Sequence, residues 1–194
     1  MRIAVRLILW TWFLAALTAG KLGLLLYVPV PVLPGLLLVL TGLLLAAYFG
    51  VRAIRAWVDA LDLRVLVLLH LTRFVGLYFL VLYYRGNLPY AFAVPAGWSG
   101  MFVAALALAV VLVPWREDLR RHACFIWNTI GFVAALLMLF TALRVGFEFP
   151  WQLRPLQLLP LCLLPTFLAP FLVATHVIIY VRLMRSPPET APPE

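Results

Sequence analysis

Residues 65–100 read VLVLLHLTRFVGLYFLVLYYRGNLPYAFAVPAGWSG, and this stretch decides the fold class. Residues 65–84 are apolar enough to cross a bilayer as one helix, except for His70 and Arg73, which stand one helical turn apart. A charged side chain at mid-membrane costs about 2.5–3.5 kcal/mol on insertion scales, so these two residues ask for a physical reason. The remainder, RGNLPYAFAVPAGWSG, strings Gly86-Asn87, Pro89, Pro95 and Gly97 between Tyr90, Phe92 and Trp98. Turn formers interleaved with aromatics predict a loop anchored at the membrane interface.

The rest of the chain has the same character. Of its 194 residues 66% are hydrophobic and only 11% charged, with a mean hydropathy of +1.09, outside the range of soluble domains. The pattern predicts an all-α, polytopic transmembrane helix bundle of six spans, near 7–28, 35–51, 65–84, 97–114, 123–143 and 161–183, in one domain over 1–185. The first span continues past Gly20 through LGLLLYV and lacks a small-x-small cleavage site, so it reads as a retained helix, not a signal peptide. Pro29, Pro31 and Pro34 predict a stiff link before the second span. Arg52, Arg55, Asp59 and Asp62 recur at helical spacing opposite Ile54, Trp57, Val58 and Leu61, the pattern of a helix lying along the interface. Residues 186–194, SPPETAPPE, read as a disordered cytoplasmic tail.

Charge sets the orientation. The net charge of +8 and a pI near 10.2 reside in short clusters between apolar runs, which argues against nucleic acid as a partner. Of the fifteen basic residues ten flank the N-terminus, the second and fourth links and the C-terminal end; only Lys21, Arg85, Arg144 and Arg154 fall on the other face, and Arg73 lies inside. Both termini are therefore expected in the cytoplasm. Cys124 and Cys162 fall near opposite faces, about 20 Å or more apart by helix rise, and no disulfide is expected.

Orientation also aligns the polar residues. His70 lies about five residues, or roughly 8 Å of helix rise, inside the cytoplasmic face, and counting back along span six puts His176 at the same depth. Asn128 in span five matches them, and with Arg73 they form one candidate ligand-binding constellation. No Asp or Glu lies within a span to neutralise Arg73. The bland reading is a hydrogen-bonded knot that sets helix register. The functional reading is a pocket, since intramembrane ionisable groups are functional candidates by default. His70 and His176 are also the two residues that a b-type haem would take as axial ligands, with Arg73 near a propionate. Ser99, Cys162 and Thr166 have no adjacent base, so no catalytic residue is assigned and a non-enzymatic role is expected.

A set of motifs carries a resemblance. His70-x-x-Arg73-x-x-Gly76, Arg85-Gly86-x-Leu88-Pro89, Pro95-Ala96-Gly97-Trp98, Trp127-Asn128-Thr129-x-Gly131, and LLPTFLxP over 163–170 ahead of Thr175-His176 together resemble a group of bacterial integral membrane proteins without an assigned activity. The resemblance implies a helical protein of the bacterial inner membrane and lends weight to the four-residue constellation. That group often has Gly-Asp after the PAGW element, where this chain has Ser99-Gly100 and so no carboxylate.

The leading expectation is a binding or accessory protein holding a small ligand or cofactor in a polar pocket near the cytoplasmic leaflet. A haem-bearing electron-transfer protein is the first alternative, and a transporter of small solutes or anions the second. The bilayer is the expected partner, together with a membrane complex or a second copy.

Overall fold

Hydrocarbon offers no hydrogen bonds, so a chain crossing it must satisfy its own backbone. The computed structural model describes residues 2–114 and 116–185, and among them there is helix and no strand. Six helical stretches are long and apolar enough to span a membrane: Ile3–Lys21, Val30–Gly50, Leu63–Tyr84, Tyr90–Leu112, Leu119–Glu148 and Leu164–Met184. The expected all-α bundle of six spans is the observed one. The expected tail lies outside the described residues.

In chain order the elements are α1 (Arg2–Lys21), α2 (Leu33–Gly50), α3 (Arg52–Asp59), α4 (Leu63–Leu68), α5 (Gly76–Tyr84), α6 (Tyr90–Leu112), α7 (Glu117–Glu148) and α8 (Ala169–Met184). α3 is the expected amphipathic helix, with none of its residues buried. α4 and α5 form one span, joined by a 3-10 stretch over Leu69–Val75. Tight 3-10 turns also fill the links at Leu24–Tyr27 and Pro150–Gln157, and Gln157 Nε2 ties the two by donating to the carbonyls of Leu25 (2.7 Å) and Val28 (2.6 Å).

Three boundaries differ from expectation. α1 ends at Lys21, because Gly23 takes a left-handed conformation (φ 66°) and turns the chain. α7 runs on to Glu148. The aromatic stretch read as a loop is mostly helix: only a short turn separates Tyr84 from Tyr90, and Pro95 sits inside α6. Its small residues explain why. A Cβ on Gly76 would lie 2.5 Å from the Gly97 carbonyl oxygen, and one on Gly97 would lie 2.8 Å from the Gly76 carbonyl oxygen. Gly100 faces the Arg73 carbonyl, at 3.1 Å from the same hypothetical atom. The seam of close backbone approach between α5 and α6 therefore needs the glycines of both motifs.

Ten buried residues including Tyr48, Val103, Trp127 and Ile179 form a core near the end carrying Arg185. A second core around Phe79, Phe92, Leu153 and Cys162 fills the opposite half. We call the end carrying Arg185 the basic face and the other the far face. A latch closes the basic face: Tyr48 Oη donates to Asp59 Oδ1 at 2.8 Å, and Arg185 Nη1 donates to Asp59 Oδ2 at 2.6 Å. Both cysteines are buried, Cys124 in the first core and Cys162 in the second.

Two predictions follow from this packing. Gly76→Ala should lower stability in detergent by about 1–3 kcal/mol, because the helices must part to admit the methyl group. Gly42→Ala, where a Cβ meets nothing within 4 Å, should be neutral or slightly stabilising; equal effects in denaturant titration would refute the seam. At Asp59, burial raises the carboxyl pKa, but the hydrogen bonds from Arg185 and Tyr48 and the Arg185 charge outweigh it and hold the group below its ordinary 3.8. A depressed pKa means stabilisation present above that value and lost as pH falls through the folded-state value. Wild type should thus keep its melting-temperature difference from Asp59→Asn above about pH 5 and lose it progressively as pH falls below 3.8 through the lower folded-state value; a constant difference would count against the latch.

Candidate functional site

The site starts from a change of helix type. In an α-helix residues three apart are offset by about 60°, but in a 3-10 helix they eclipse. The 3-10 stretch over Leu69–Val75 therefore brings His70 and Arg73 into line, both turned toward α8. Thr72 Oγ1, donating to the Leu69 carbonyl at 2.7 Å, supports the same i to i−3 spacing.

All four residues singled out in the sequence converge. Arg73 Nη2 donates to His176 Nε2 at 2.9 Å, and His176 Nδ1 meets Asn128 Oδ1 at 2.8 Å. Asn128 Nδ2 then donates to the His176 carbonyl at 3.1 Å, which fixes the amide orientation. Because guanidinium has no acceptor, Nε2 must be unprotonated and Nδ1 must carry the hydrogen that Asn128 accepts. His176 is thus a neutral relay between a charge and an amide. His70 packs against it, ring centroids 4.3 Å apart. Thr175 Oγ1 donates to the Leu172 carbonyl at 2.9 Å, so at 3.1 Å it accepts from His70 Nε2, leaving His70 Nδ1 an acceptor without a partner among the described residues.

The surrounding motif residues build this cluster. Trp127 anchors α7 to α6 by donating Nε1 to the Val103 carbonyl at 3.0 Å, and its ring meets His70 edge-on at 5.0 Å. Gly131 makes room for the imidazole of His176, whose Cε1 would lie 2.7 Å from a Cβ there. Tyr180 Oη donates to Thr129 Oγ1 at 2.8 Å. Thr175 and Trp127, which the sequence places only in motifs beside His176 and Asn128, thus prove to be parts of the cluster: one bonds His70 and the other anchors α7 to α6.

Three of the four residues lie out of reach of solvent. His70, Asn128 and His176 are each 0% exposed: Asn128 and His176 bond to each other, and His70 packs its ring on His176. Open space lies beyond Arg73, toward the far face: a cavity of about 140 Å3 walled by apolar residues including Leu37, Phe79, Phe92, Met138 and Leu168. Among the described lining residues Arg73 is the one charged side chain and Ser99 the one hydroxyl. Arg73 Nε is buried and finds no acceptor among the described residues. The π turn over Leu164–Leu168, which contains Pro165 and leads into α8, shapes part of the wall. Pro170 has no N–H for the Thr166 carbonyl, and Trp12 Nε1 on α1 supplies the missing donor at 3.0 Å.

Haem fits poorly. Axial imidazoles lie on opposite faces of a macrocycle with a nitrogen of each aimed at the iron. Here the two rings lie against each other at 47°, His176 has both nitrogens engaged, and His70 Nε2 is bonded to Thr175. The haem alternative, with His70 and His176 as ligands, is therefore set aside. Among the described residues no three His, Cys, Asp or Glu side chains come together either.

The cluster makes a stability prediction. His176→Ala strips partners from both Arg73 and Asn128 and should cost about 3–5 kcal/mol. His70→Leu, which removes one hydrogen bond and one unpaired acceptor together, should cost about 1 kcal/mol or less. Unfolding in detergent checks the contrast, and costs of equal size would refute the relay.

The chain belongs to the family described as Domain of unknown function (DUF8737), which matches residues 29–184 and so takes in α2 to α8. No curated protein and no solved structure matches it.

Proposed function

We propose that this member of the DUF8737 family is a multi-pass membrane protein that binds an amphiphile, seating an anionic head on Arg73 and an apolar body in the adjoining cavity. One observation carries the reading: among the described residues a single charged side chain, held by His176 and with Nε unspent, lines a cavity otherwise apolar but for Ser99. A guanidinium facing hydrocarbon is stabilised most by a carboxylate or similar anion, which accepts charge-assisted hydrogen bonds. The apolar walls favour a body without further polar groups. At about 140 Å3 the cavity matches the space that holds one benzene-sized group, so it takes a short length of chain or one ring, the rest lying between helices.

His176 and Asn128 are positioning residues in this proposal: they hold the guanidinium at one end of the cavity and keep it from snorkelling. The ten-to-four bias of basic residues supports both termini in the cytoplasm, and the motif resemblance supports a bacterial inner membrane. On that orientation the cavity lies on the side of Arg73 away from the cytoplasmic face. The reading is one of binding, not of catalysis.

A long-chain fatty acid and its alcohol, each titrated into the detergent-purified protein and followed by native mass spectrometry, test it. The acid should bind, and Arg73→Gln should weaken it about ten- to hundredfold while changing the alcohol little. Ala135→Phe, which fills the cavity wall, should weaken both. An acid that bound no more tightly than the alcohol in wild type would overturn the proposal.

A further inference from the structure

A second cavity, of about 200 Å3, lies on the basic face where the ends of four spans meet, and its wall is chemically opposite to the first. Arg64 enters from α4, Arg120 and Arg121 from the start of α7, and Arg182 from the last turn of α8, with Val110 and Cys124 between them. Asp62 is the one carboxylate among the described lining residues, and its Oδ1 already accepts from the Arg64 backbone N–H at 2.9 Å as the cap of α4. Arg121 Nη2 is engaged too, donating to the carbonyls of Leu183 (2.7 Å) and Arg185 (3.4 Å) that end α8. Arg182 Nη1, in contrast, is buried without an acceptor among the described residues.

A buried guanidinium donor without an acceptor is costly, and among the described lining residues four guanidinia stand against one carboxylate, a balance that favours an anion. We infer that this cavity is a phosphate-binding site, with Arg182 Nη1 as the inner donor and Arg64 at its exposed mouth. A tetrahedral phosphate offers oxygens in several directions at once, which suits guanidinium forks arriving from three different helices. The chemistry is shared by two sources. The site lies at the ends of the spans, at headgroup depth, where a lipid phosphodiester is at hand, and it also faces the aqueous side, where a soluble phosphate reaches it. The site is independent of the Arg73 cavity, since the two share no lining residue.

Thermal shift and native mass spectrometry of the full chain in neutral detergent separate the cases. The probes are phosphatidylglycerol, diacylglycerol with the same chains, and inorganic phosphate. Stabilisation by phosphatidylglycerol but not by diacylglycerol assigns a lipid headgroup, and stabilisation by inorganic phosphate alone assigns a soluble ligand; response to neither overturns the inference. Arg182→Gln should weaken the responding probe about tenfold, while Arg55→Gln, on the same face but outside the cavity, should leave it unchanged. Equal weakening by both variants would reduce the effect to general surface charge and overturn the site. If Arg182→Gln fails to fold, Arg64→Gln at the exposed mouth decides, with wild-type affinity there counting against the inference. Arg73→Gln should bind phosphate as wild type does, which keeps this test apart from that of the first cavity.

Discussion

One charge in hydrocarbon governs the middle of this molecule. No Asp or Glu lies between the ends of any span to pair with Arg73, and the chain meets its cost with a neutral imidazole accepting from Nη2. That choice propagates. An imidazole that accepts at Nε2 must donate at Nδ1, so a carbonyl oxygen has to stand beside it, and Asn128 supplies one while its amide returns to the His176 backbone. Three helices are thus registered on one another by a chain of donors and acceptors that closes only in one arrangement.

Around this chain the motifs divide into polar residues and the small residues that let them meet. Gly131 admits the His176 ring, and Gly76, Gly97 and Gly100 bring the backbones of α5 and α6 together beside Arg73. Without hydrophobic attraction between helices in lipid, such close approach and its dispersion contacts are the main source of association. The same packing leaves its gap on the other side of the guanidinium, where larger side chains from α2, α6, α7 and α8 do not fill the space.

Much of this was legible in the sequence. Span number follows from hydropathy, and equal depth of His70, Asn128 and His176 follows from counting rise from a charged face, because a helix in a bilayer has both a fixed length and a fixed edge. What was not legible depends on pairs of helices. Pro95 reads as a loop former because in water it would be one, whereas α6 tolerates it inside a bundle. The 3-10 stretch that eclipses His70 with Arg73 leaves no mark in composition, and depth alone does not separate a closed hydrogen-bonded cluster from an open pocket. The cavity beyond Arg73 is made of ordinary apolar residues, and only their failure to meet distinguishes it.

The bond from Trp12 to the Thr166 carbonyl has a further meaning. Pro170 has no N–H to offer that carbonyl, and in a soluble protein water is at hand for such a group. Here the donor comes from a residue 154 positions earlier, on α1, which lies outside the region that matches the family. The ring stacks on Phe171 at 5.0 Å and meets Phe167 at 5.3 Å, so it delivers its hydrogen with an apolar jacket. In chemical terms α1 takes the place of a solvent molecule: it brings to a backbone break inside hydrocarbon the one hydrogen bond that the bilayer cannot supply.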